Sequence, residues 1–162
     1  MPSPASGRVE AVLYSEEERQ RRDASPWTIV QGVLAPLQFL VFIVSTLLVW
    51  RFFATGEGAT IASASVVLKT ALLYAIMITG SIWERDVFGQ YLFARPFFWE
   101  DVVSMLVMAL HTAYLVCFFG GYLNVSDQLV LALVAYFTYV VNAAQFLIKF
   151  RMARVTAAEG RV

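Results

Sequence analysis

The chain has 162 residues, 59% of them hydrophobic and only 15% charged, and its 12 basic and 12 acidic side chains cancel. That much apolar surface exceeds what a single soluble core of this length can bury, which places the chain in the membrane class, and zero net charge excludes bulk attraction to nucleic acid. The lone cysteine, Cys117, excludes an internal disulfide and reads as a small apolar filler.

The first eleven residues, rich in Pro, Ser, Gly and Ala, read as disordered. The stretch YSEEERQRRD that follows reads as a short polar surface helix, with Ser15 as N-cap and Glu18 three residues on in capping-box spacing. SPW then restarts the chain: Ser25 can cap, Pro26 suits a first helical turn, and Trp27 suits the headgroup level.

Four apolar runs follow, each long enough for the roughly 20 residues that cross a bilayer as helix. No formal charge lies between Asp23 and Arg51, only Lys69 between Glu57 and Glu84, none between Asp101 and Asp127, and none from Gln128 to Ile148. Spans are expected near 28–50, 61–83, 98–119 and 128–149. Pro36 should kink the first. That first run starts too late and runs too long for a signal peptide, so all four spans are expected to be kept. ATGEGAT and GGYLNVSDQ read as short turns on one side, and Glu84 to Pro96 as a longer connection on the other.

Basic residues set the expected orientation. Arg19, Arg21 and Arg22 precede the first span, Arg85 and Arg95 lie in the central connection, and Lys149, Arg151 and Arg154 follow the fourth, whereas the opposite side has only Arg51. By the positive-inside rule both termini and the central connection are cytoplasmic. The expected fold is an all-α polytopic membrane protein with four transmembrane helices: a cytoplasmic segment 1–26, a four-helix domain 27–150 and a cytoplasmic tail 151–162.

Polar groups within spans are costly and invite a functional reading, although amides also tie helices together. Gln31 and Gln38 are seven apart and share a face of span one; Asn142, Gln145 and Lys149 share a face of span four. Glu84 ends span two while Glu100 and Asp101 begin span three, so the antiparallel course brings the three acids to one depth, with Gln31, Gln145 and Lys149 in the same half. Asp101 points about 100° from Glu100 and reads as an ordinary helix-start acid, favoured there by the dipole. Glu84 departs from that pattern, because the C-terminal end of a helix disfavours an acid. It calls for a partner, such as Arg85, Arg95 or Lys149, or for a proton it can donate. His111, the only histidine, follows Glu100 by eleven residues, about 20° from in-phase and about 16 Å along the helix. One large planar ligand could meet both, with Ser104 and Tyr114 near the same line. Lys69 reads either as snorkelling outward, the preferred reading, or as pairing within the bundle. No phosphate loop, paired-cysteine metal motif or nucleophile elbow occurs.

Three long segments resemble a known family: SPWTIVQGVLAPLQFLVF, KTALLYAIMITGSIWERDVFGQYLFARPFFWEDVVSMLVMALHTAYL and YVVNAAQFLIKFR are similar to the 3-vinyl bacteriochlorophyllide hydratases of photosynthetic bacteria, over about Leu13 to Arg154. The resemblance implies addition of water across the C3 vinyl group of a chlorophyllide to give the 3-(1-hydroxyethyl) product in bacteriochlorophyll a biosynthesis. It implies no redox cofactor or nucleotide, since the substrate carries its own magnesium. It also implies an integral protein of the inner, intracytoplasmic photosynthetic membrane, among other pigment-biosynthesis enzymes, with its site toward the cytoplasm.

The reaction needs an acid to protonate the terminal vinyl carbon and a base to take a proton from the attacking water. On this reading Glu100 or Glu84 is the acid, and Asp101 or the other glutamate the base. His111 either ligates the substrate's magnesium or moves a proton. Gln31, Gln38, Asn142 and Gln145 orient water and ring carbonyls, and Lys149, Arg95 or Arg85 meets the propionate. The competing readings are a non-enzymatic pigment carrier or assembly factor and, ranked last because its acids cluster at one boundary, a small proton-coupled exporter.

Overall fold

The computed structural model describes residues 13–159, all of whose regular structure is helical; the disorder expected for the first eleven residues lies outside them. Helix α1 spans Glu16–Ala24 and begins with the expected capping box: the Ser15 N–H donates to Glu18 Oε2 at 2.7 Å and the Glu18 N–H to Ser15 Oγ at 3.2 Å. Three glutamates in its first turn and two arginines in its last suit the helix dipole. Helix α2, Pro26–Thr55, starts on its proline and continues without a break through Pro36.

Helix α3 runs Ala59–Phe88, α4 Phe98–Gly120 and α5 Val125–Glu159, with a single 3-10 turn, Arg95–Phe97, leading into α4. These four long helices have the length and apolarity to cross a membrane. The turn between α2 and α3 is made by Gly56 and Gly58, whose φ values of 73° and 81° would strain any residue bearing a Cβ. Helix α3 outlasts the expected span. Gly89, at φ 83°, stops it, its N–H meeting the Arg85 carbonyl at 2.9 Å, so Glu84 lies inside a helix rather than in the central connection.

The helices pair as two antiparallel hairpins. Ser45 with Ser65 at 2.7 Å, Gln31 with Thr79 at 2.6 Å and Trp83 with Thr28 at 2.9 Å register α2 against α3. Gln128 to the Cys117 carbonyl at 3.3 Å, Ser104 to Asn142 at 3.0 Å and Lys149 to Glu100 at 2.8 Å do the same for α4 and α5. Between the hairpins lie buried apolar clusters: Val49, Ala62, Val66, Tyr114, Leu129, Ala132 and Tyr136 near the short turns, then Leu73, Val107 and Tyr139 further along. The outward surface is apolar too, with Ile29, Leu47, Ile78, Leu106, Phe137 and Leu147 all exposed, as a lipid-facing surface requires.

A third cluster fixes the end that carries most of the acids. Tyr14, stacked on Phe88 at 5.8 Å and 7°, joins Val87, Phe97 and Phe146, so the segment before α1, the end of α3, the start of α4 and the later half of α5 meet at one end of the bundle. Arg22 lies over the Tyr14 ring at 4.8 Å. Burial pushes the Tyr14 phenol up to about 12 from its usual 10, against the opposing pull of Arg22.

Candidate active site

At this end the central connection folds back on the two helices it joins. Glu84 of α3 and Asp101 of α4 are both buried, and their carboxyl groups converge on adjoining backbone N–H groups of the connection. Two consecutive backbone N–H groups close the arrangement, Phe93 donating to Asp101 Oδ2 at 2.8 Å and Ala94 to Glu84 Oε2 at 3.3 Å. Phe93 reaches this position at φ 61°, a left-handed conformation that bulky side chains avoid.

Glu84 was expected either to meet Arg85, Arg95 or Lys149 or to hold a proton it can donate. None of those cations reaches it, because Arg85 binds the Tyr91 hydroxyl at 2.9 Å, Arg95 is exposed and Lys149 is engaged elsewhere. Asp101, expected either as an ordinary helix-start acid or as a base, is the residue beside it. The connection's backbone turn, not helical phase alone, brings the two together.

Glu100 faces the other way, into the α4–α5 seam. Its carboxylate pairs with Lys149 at 2.8 Å, and the same ammonium also donates to the Pro96 carbonyl and lies 5.6 Å from the Phe97 ring centre. Below it, Ser104 and Asn142 both donate to the Glu100 carbonyl, at 2.8 and 2.9 Å, and Asn142 reaches Gln145 at 3.4 Å. The expected face of Asn142, Gln145 and Lys149 is therefore real, and it is turned onto α4.

Glu100, Ser104, His111 and Tyr114 do form one buried line along α4. In place of an open groove for a planar ligand, that line is packed with neighbouring helices. Ser104 holds Asn142, the His111 ring lies 5.8 Å from Tyr136, and Tyr114 donates to the Ser63 carbonyl at 3.3 Å. His111 is fully buried, with Nδ1 bonded to the Val107 carbonyl at 2.8 Å and Nε2 without a partner.

The glutamines of α2 separate as well. Gln31 binds Thr79, against a Gly80 whose missing side chain leaves room for the amide, whereas Gln38 accepts from Lys69 Nζ at 3.1 Å. Lys69 does not snorkel. It is fully buried, and its ammonium lies 3.6 Å from the Tyr139 ring centre, so one amide and one aromatic face satisfy it inside the bundle. Gln38 lies between Gln31 and Ser45 on α2 as Lys69 lies between their partners Thr79 and Ser65 on α3, so the hairpin register itself brings the two to one depth.

Two buried carboxyls brought together beside aimed N–H groups are an arrangement suited to acid–base chemistry, one group giving a proton and the other taking one. Comparison with known proteins bears on what that chemistry serves. Residues 14–152 match the family described as 2-vinyl bacteriochlorophyllide hydratase. A protein of that name from Rhodobacter capsulatus is 59% identical over 158 residues, covering 98% of this chain and 92% of the relative. Another, from Cereibacter sphaeroides, is 62% identical over 143 residues, covering 88% and 89%. No solved structure matches the chain. The match runs from Tyr14 through the acid pair to the far half of α5, and the chain belongs to the 2-vinyl bacteriochlorophyllide hydratase family.

Proposed function

We propose that this membrane protein adds water to the vinyl group of a bacteriochlorophyllide, numbered 2 in its relatives' names and 3 in the resemblance above, and that Glu84 and Asp101 carry the proton transfers. The observation that carries this reading is the convergence of the two buried carboxyls on the consecutive Phe93 and Ala94 N–H groups.

The helix ends assign the roles. Glu84 lies near the C-terminal end of α3, where an anion is disfavoured, and Asp101 lies in the first turn of α4, where it is favoured, so the proton rests on Glu84. Glu84 donates that proton to the terminal vinyl carbon as the π pair forms the new C–H bond. The cation left on the carbon beside the ring is conjugated with the macrocycle. A water lone pair closes the C–O bond there, and Asp101 takes the water's proton. Transfer of that proton from Asp101 to the neighbouring Glu84 restores the starting state with one water consumed. No oxidant, reductant or nucleotide enters this balance.

The other polar groups support rather than react. Glu100, paired with Lys149, anchors α4 to α5, and Asn142 and Gln145 hold that seam. His111 and Gln38 belong to the bundle interior with Lys69 and Tyr136. The arginines and lysine at the site end make that end cytoplasmic, in a bacterial inner membrane, so the substrate is met from the cytoplasmic side. Incubating the purified chain with the vinyl pigment tests the activity: conversion to the hydroxyethyl product supports the hydratase, and bound but unchanged pigment supports a carrier.

A further inference from the structure

Glu84 and Asp101 are buried against the connection whose Phe93 and Ala94 N–H groups they accept, and the outer surface of that connection and of the first turn of α4 is the exposed surface beside them. That surface carries three linked exposed aromatic rings. Phe93 is 39% exposed, Phe98 42% and Trp99 68%. The Phe93 and Phe98 rings are 5.8 Å apart, and Phe98 and Trp99 meet edge to face at 5.4 Å and 85°.

The platform is tied to the acids through the backbone. The N–H of Phe93 is the donor to Asp101, and Phe98, three residues before Asp101, lies about 60° from it round the first turn of α4. Phe93 keeps its left-handed backbone, a conformation disfavoured for a bulky side chain, while its N–H binds Asp101 and its ring stays exposed. Strain retained where a side chain is exposed suggests that the ring position itself matters. Arg95 is exposed between the platform's two halves in sequence, and Arg85, also exposed, lies 5.0 Å from the Tyr91 ring centre. Aromatic faces beside exposed cations complement a planar macrocycle bearing a carboxylate.

We propose that Phe93, Phe98 and Trp99 form the docking platform for the substrate macrocycle, with Arg95 meeting its propionate, so that the vinyl group is delivered to Glu84 and Asp101 from the outer face of α4. This rests on the hydratase reading. It makes these aromatics positioning residues that determine affinity, whereas an aromatic belt at a membrane boundary would be indifferent to pigment.

The test uses the full chain purified in detergent, with 3-vinyl chlorophyllide as probe, and measures pigment binding, KM and kcat for Phe98→Leu, Trp99→Leu and Trp99→Phe. Loss of one ring contact is expected to weaken binding and raise KM about five- to tenfold, with kcat falling less, and Trp99→Phe is expected to recover most of the loss. The propionate methyl ester is expected to bind more weakly than the free acid to the unmodified chain and equally to Arg95→Gln. Glu84→Gln, run in parallel, is expected to bind pigment normally and not turn it over. Unchanged binding and KM in Phe98→Leu and Trp99→Leu overturn the platform while leaving the acid pair standing. Full turnover in Glu84→Gln overturns the acid pair separately.

Discussion

Glu84 and Asp101 meet at the central connection, each buried carboxyl receiving one of two consecutive backbone N–H groups. Glu84→Gln keeps a side chain that can donate to Asp101 but removes the transferable proton. Turnover is expected to fall at least about a hundredfold, the usual scale for a general acid, with the thermal midpoint kept or raised. A variant that loses activity only in step with lost folding would contradict the role.

The Glu100–Lys149 pair is structural in this account. Lys149→Met leaves a buried carboxylate without its cation and is expected to cost about 1–3 kcal/mol, less than a fully buried pair because Lys149 is partly exposed. Glu100→Gln combined with Lys149→Met should recover part of that loss. A double-mutant cycle in thermal stability checks it, and strict additivity would argue against the pairing.

Lys69 depends on Gln38 and on the Tyr139 ring. Gln38→Leu alone removes the one hydrogen-bond acceptor of a buried ammonium and should destabilise the bundle by about 1–3 kcal/mol, whereas Gln38→Leu with Lys69→Met should be close to neutral. Denaturation of the two variants in the same detergent distinguishes them.

Tyr14 gives a pH dependence outside the membrane helices. Its phenol is raised from 10 to about 12, so the folded state holds the proton more tightly than the unfolded chain. The stability it contributes is fully present below pH 10 and is lost as pH rises toward 12. The Tyr14→Phe variant, which cannot ionise, should lose the tyrosine's share of that alkaline loosening, followed by the fluorescence of Trp83, which packs in the same cluster.

Sidedness can be read with single thiols. In a Cys117→Ser background, Gln90→Cys in the central connection and Tyr122→Cys in the α4–α5 turn are both exposed positions. Tyr122→Cys should label from outside intact cells and Gln90→Cys only after permeabilisation. The opposite pattern would reverse the orientation.

The sequence made some of this legible for plain physical reasons. The four long helices follow from charge-free runs of bilayer length, and the Ser15 capping box from a local four-residue pattern. Glu84 stands out because an acid near a helix C-terminus needs compensation. Its partner was hidden, because joining Glu84 to Asp101 depends on a left-handed Phe93 and on a helix that runs to Phe88, neither visible in hydropathy. Helical phase correctly put Glu100, Ser104 and His111 on one line, but phase does not say whether a ligand or another helix fills the space beside it. Gln31 and Gln38 share a face yet meet different turns of α3, because seven residues also separate them by about 10 Å along the axis.

The central claim is that this chain hydrates a vinyl pigment through the Glu84–Asp101 pair. Mass analysis of 3-vinyl chlorophyllide incubated with the purified chain and with its Glu84→Gln variant tests it most directly. The account predicts that pigment gains the mass of one water molecule with the unmodified chain and none with the variant, although both bind it. Pigment that returns unchanged from the unmodified chain, or hydrated equally by both, would contradict it.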